Sequence, residues 1–138
     1  MRYLYFRLTS DKNLIEAEIT NGFGLKTDYF YTKGETRYIK GENITYKEYC
    51  WQHEKQLKEN DNLELEILRY IQYLIDKKDI IVSYKKDVNI QLGVMLYLDD
   101  YQNTFVISKK MANLLNQLDI DFLVTIANVD YILEKMQM

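Results

Sequence analysis

The chain has no proline, one cysteine, one histidine and only five glycines in 138 residues. A lone cysteine, Cys50, allows no disulfide within the chain, so a reducing cytoplasm is the expected compartment. With one histidine and one cysteine, a zinc site would need carboxylates for its other ligands, and Asp99 and Asp100 lack calcium-loop spacing. No metal and no other cofactor is therefore expected. A basic excess is missing too: the net charge is −3 and the pI near 5.2. That balance argues against a nucleic-acid partner. Unbroken apolar runs last only a few residues, far short of a membrane span, so no membrane partner is expected. The opening "MRYLYFRLTSDK" alternates like a strand and precedes no small-residue cleavage site, so it is not read as a leader. No linker, repeat or low-complexity segment interrupts the chain. One domain over residues 1–138 is expected, with 130–138 as a loosely attached tail.

What is present is ordinary in bulk and unusual in one type. Apolar residues make up 47% and charged residues 28%, the balance of a soluble globular protein. Thirteen residues are tyrosine. Tyrosine buries a ring while keeping a hydroxyl for water or a partner, which suits both strands and interfaces.

Periodicity sets the element order. In "RYLYFRL", Leu4, Phe6 and Leu8 point one way and Tyr3, Tyr5 and Arg7 the other, as in a half-covered strand. Ser10 or Asp11 is placed to cap a helix carrying Ile15 and Ile19, with Asn21 and Gly22 at its end. Two short strands are expected near Tyr29–Thr32 and Ile44–Trp51, with "HEKQLKEND" as a charged connector or early helix. Asp61 and Glu64 form a capping box ahead of a stripe of Leu63, Ile67, Tyr70, Ile71 and Leu74. "IIVSY" reads as a strand, and Val88 to Leu98 as the cleanest alternating strand of the chain. "TFVI" reads as a short strand; Ser108 then caps a helix with Met111, Leu114, Leu115 and Leu118 inward, and "DFLVTIAN" is a last strand. This order predicts an α+β domain: a largely antiparallel sheet with about three helices on one face.

Three places invite a chemical reading. "GFGLKT" resembles a phosphate loop, but Leu25 separates Gly24 from Lys26, and a helix precedes where a strand is needed. The helix would present its negative end to the phosphate. A helix stop and turn is the better reading. Cys50 and His53 are spaced as a thiolate–imidazole pair only on a helix; on a strand they face opposite ways. The face of Tyr3, Tyr5 and Arg7 has the residue types that stack single-stranded bases, but the net acidity points instead to a second packing layer or a subunit contact.

Several segments together resemble a bacterial family known as domain of unknown function 4279. They are the opening strand "YLYFRLTSD", the helix-to-glycine stretch "IEAEITNGFGLKT", the turn "TKGE", Trp51 and the closing "VISKKMANLLNQLDIDFLVTI". The resemblance spans roughly residues 3–127. It implies an α+β fold and a small cytoplasmic bacterial protein, and it brings no catalytic residues with it.

The functional expectation is a non-enzymatic protein-binding module of the immunity or inhibitor type, more an interaction protein than an enzyme. Its partner would be a protein: a toxin, or a second copy of this chain. Tyr29, Tyr31, Lys33, Glu35, Arg37, Tyr38 and Trp51 are the expected binding residues, because aromatic and arginine side chains dominate binding energy at interfaces. The alternative is a small-molecule-binding or enzymatic domain with a pocket near Trp51, using Cys50, His53 and neighbouring carboxylates.

Overall fold

A computed structural model describes residues 2–97 and 106–127. The elements run β1 (Arg2–Ser10), α1 (Glu16–Phe23), β2 (Tyr29–Tyr31), β3 (Thr36–Ile39), β4 (Glu42–Thr45), β5 (Tyr49–Leu57), α2 (Leu63–Ile75), α3 (Lys78–Tyr84), β6 (Asn89–Tyr97), α4 (Lys109–Leu118) and β7 (Asp121–Ala127). Five strands form one sheet in the order β2-β5-β1-β6-β7, and β3 and β4 form a separate two-stranded ribbon. Every pair in the main sheet is antiparallel except β6 with β7. The fold is α+β and mostly antiparallel. Four helices are present among the described residues where about three were expected, because "IIVSY" forms most of α3 rather than a strand. Asp79 in its first turn favours a helix N-terminus, and Ile81 alone is buried from it. A short run of apolar residues does not by itself distinguish strand from helix.

The helices cover one face of the sheet. Leu4, Phe6 and Leu8 of β1 join Ile90, Leu92 and Val94 of β6 and Trp51 of β5 in a single core. Ile19 and Phe23 of α1, the α2 stripe, Ile81, and Met111 and Leu118 of α4 close it from above. Phe6 sits at its centre, edge-on to both Phe23 and Trp51 at centroid distances of 5.0 and 6.1 Å. The expected stripe of α2 is buried throughout, and Glu66 joins it. Glu66 is tolerated there because Lys55 and Arg69 bond its two oxygens at 2.7 and 2.9 Å. Lys55 holds its carboxyl below the usual range.

The helix starts differ from the sequence reading. Ser10 stays in β1, where it donates to the Asp87 carbonyl at 2.9 Å and accepts from the Lys12 amide. Consequently α1 starts at Glu16 with no side-chain cap, and Ile15 is exposed. It ends two residues later than expected, with Gly24 in the left-handed region at φ 66°. The cap of α2 is Asn62, accepting from the Leu65 amide; Asp61 instead accepts from the Lys58 amide. Arg2 then donates to the carbonyls of Lys58, Glu59 and Asp61, tying this turn to the first strand. Ser108 caps α4 as expected. Within "TFVI", Val106 and Ile107 are not in a strand, and Thr104 and Phe105 lie outside the described residues. Residues 98–103 and the tail 130–138 lie outside them as well.

The largest revision lies between residues 36 and 57. The expected strand Ile44–Trp51 divides into β4 and β5, and "HEKQLKEND" continues β5 to Leu57. The ribbon turns at Lys40 and Gly41, both at positive φ (50° and 81°), the backbone of a tight two-residue hairpin.

The second sheet face is built from alternate residues of the same strands. In register lie Tyr29, Gln52, Arg7 and Gln91, then Glu54, Tyr5 and Gly93, then Gln56, Tyr3 and Met95. Tyr5 is only 3% exposed because its ring lies across Gly93. A Cβ at position 93 would run into that ring, within 2.6 Å of its Cε1. Gly93→Ala is therefore expected to destabilise the fold by roughly 2–3 kcal/mol through overpacking. Denaturant unfolding checks this. In a Tyr5→Leu background the same substitution should cost clearly less, since the two positions share one space.

Candidate functional site

The expected binding residues do not form one cluster. Tyr31, Glu35 and Arg37 come together at the root of the ribbon. The Tyr31 ring stacks on Tyr46 at 3.7 Å between centroids. Arg37 donates from Nη2 to the Phe30 carbonyl at 2.8 Å, pairs through Nε with Glu35 at 2.6 Å, and lies over the Tyr46 ring. These contacts attach the ribbon to the sheet edge. A two-stranded ribbon has no core of its own, so such an attachment decides whether it is ordered.

Tyr38 stands apart on the ribbon, 74% exposed, with Ile39 and Ile44 also exposed near it. Lys33 is exposed and reaches Asp11 at 3.6 Å. Tyr29 is 52% exposed on the edge strand β2, on the sheet face away from the helices. Trp51 belongs to neither group. It is fully buried on the helix face, and its indole N–H is shared between the Thr20 and Thr27 hydroxyls at 3.2 and 3.0 Å. Trp51 is thus a core residue that ties β5 to α1 and the following loop, and it is not available to a surface partner.

The alternative site separates in the same way. Cys50 and His53 lie on one strand and project from opposite faces, so they form no pair. Cys50 is buried beside Tyr31 on the tyrosine face; burial pushes its thiol up, and Tyr31's hydrogen bond only partly offsets this. It stays a protonated, weak nucleophile at neutral pH. His53 lies against α2. Its Nδ1 is 2.9 Å from the Lys26 carbonyl, which only accepts, so Nδ1 carries the proton. Asp28 stands 3.5 Å from the same nitrogen, and the Tyr70 ring lies 5.9 Å away. The Tyr70 hydroxyl is buried without a partner among the described residues, and burial keeps it un-ionised. The Lys26 carbonyl and Asp28 orient the His53 imidazole, and Cys50 is not among its neighbours. A described cavity of about 240 Å³ lies elsewhere, between Lys85, Asn89, Asp119 and Asp121, with the Lys85–Asp119 ion pair across it.

Sequence reasoning missed the contacts of Arg7. It donates from Nε to Gln52 Oε1 at 2.6 Å, Gln52 donates to Glu54 at 2.8 Å, and the guanidinium lies over the Tyr5 ring at 4.7 Å. The alternation Cys50, Gln52, Glu54 was the available signal. That alternation crosses the expected boundary between the strand ending at Trp51 and the charged stretch starting at His53.

No helix among the described residues is long and apolar enough to cross a membrane. The sequence matches the family described as Domain of unknown function (DUF4279) over residues 1–128, and the chain belongs to that family. No curated protein and no solved structure matches it.

The placement of Cys50 gives a direct check. In the native protein the thiol should react with a soluble disulfide reagent at least about ten times more slowly than in denaturant. Equal rates would mean the tyrosine face is open at Cys50.

Proposed function

We propose that this chain is a non-enzymatic protein-binding module of a bacterial cytoplasm, of the immunity or inhibitor type. The ribbon and the adjoining edge strand form its contact surface. The observation that carries this reading is the exposure of Tyr38, Ile39, Ile44 and Tyr29 on elements that contribute little to the core. Exposed aromatic and aliphatic side chains on a protruding ribbon are costly to leave in water and suit burial against a partner. Lys33, Lys40, Glu42 and Lys47 surround them with exposed residues of both charge signs, as in the polar rim of an interface. Arg37 serves this surface indirectly, by holding the ribbon in place.

The test compares two variants of the full chain as bait in extract of the source cell. Tyr38→Ala removes an exposed ring that no fold contact needs and should weaken capture of the partner about tenfold. Val82→Ala changes an exposed residue on α3 and should leave capture unchanged. Sedimentation of the purified chain covers self-association. The reading fails if neither another protein nor a second copy binds, or if both variants bind as the parent does.

A further inference from the structure

Arg7 is the only cation among the described strand residues of the tyrosine face. It is held more firmly than a surface arginine normally is. The guanidinium lies over the Tyr5 ring at 4.7 Å from its centroid, and the Nε bond to Gln52 restrains its rotation. Gln52 is itself buried and held by Glu54. Neither Nη nitrogen of Arg7 has a hydrogen-bond partner among the described residues. What remains is a fixed fork of N–H donors, the geometry that meets both oxygens of a carboxylate at once.

The surroundings narrow the ligand. Burial pushes the Tyr3 phenol up to about 12 and raises that of Tyr31, so both hydroxyls keep their protons at neutral pH. Glu54 and Asp121 lie on the same face, and the charge of Glu48 is felt at Tyr31 and Cys50. One cation among three carboxylates disfavours a dianion more strongly than a monoanion, so any anion bound there relies on the short-range fork. Three neighbouring strands span a patch about 10 Å across, comparable to the length of one aromatic ring with its carboxylate.

We propose that Arg7, with Tyr3 and Tyr5 beside it, binds a small organic carboxylate with a flat apolar body. The site lies on the sheet face away from the helices and does not use the ribbon. It stands independently of the protein-binding reading, and either can fail alone.

The test follows the Arg7 Nε–H signal in ¹⁵N–¹H spectra of the full chain as benzoate is added. A saturable shift with a dissociation constant on the order of millimolar is expected for one fork on an open face. Benzyl alcohol, which keeps the ring and lacks the charge, should give none, and inorganic phosphate should bind more weakly than benzoate. Arg7→Lys should lose at least about tenfold in affinity, since an ammonium cannot supply the fork. Arg69→Lys on α2 should lose nothing, and Tyr38→Ala should bind benzoate as the parent does. The proposal is overturned if benzoate gives no saturable shift, if benzyl alcohol matches it, or if phosphate binds as tightly. It is also overturned if the capped peptide acetyl-Gly-Glu-Gly-amide binds more tightly than benzoate, which would assign the fork to a protein side chain. The titration of the unaltered chain decides the matter even where Arg7→Lys does not fold.

Discussion

The central strand β1 is buried on its helix face and largely covered on the other, where Tyr5 and Thr9 are buried and Tyr3 and Arg7 half-buried, yet the described helices cover only the first. Everything on the other face follows from this constraint. Among the described residues no helix lies there, and the strands cover themselves with their own long side chains. Tyr5 lies down across Gly93, and Arg7 lies over Tyr5. Gln52 and Glu54 of β5 then complete a chain of hydrogen bonds along the surface. A glycine in the middle of a strand ordinarily weakens it, through lost packing and greater chain entropy. Here it makes room for the ring that shields the sheet.

This arrangement separates the parts of the molecule that fold it from those that are available for contact. Trp51 and Phe6 fix the helix face, with the indole N–H satisfied by two threonines so that its burial leaves no donor unpaired. The ribbon hangs from the sheet edge by one ring stack and one arginine, and so contributes little to the core. Two different surfaces result: a protruding ribbon with apolar tips, and a flat tyrosine floor with a fixed cation. The two proposals, a protein partner and a small carboxylate ligand, fall on these different surfaces.

The fold was legible where one signal spoke alone. The alternation of β1 and β6 and the stripe of α2 give their buried faces correctly, since each side of the pattern is chemically distinct. It was illegible where two signals competed. "HEKQL" is charged enough to read as a connector, but His53 and Lys55 are held by partners on α2 and the loop before β2, so the strand continues through them. "IIVSY" has the β-branched residues of a strand, but it packs as a helical turn through Ile81. Among the expected binding residues, Tyr38 is exposed, whereas Trp51 lies in the core. Position in a tyrosine-rich stretch does not reveal which sheet face a residue takes; register does. The contact of Arg7 with Gln52 joins positions 45 residues apart, and no local pattern encodes it.

The account depends most on the tyrosine face being a fixed layer rather than a loose coat of side chains. Backbone and side-chain ¹⁵N relaxation measures this at the Arg7 Nε–H bond. The structure predicts an order parameter near that of rigid backbone, roughly 0.8 or above, with the more exposed Arg69 side chain well below it. An Arg7 value under about 0.6, no higher than that of Arg69, would mean the guanidinium moves freely and would contradict the account.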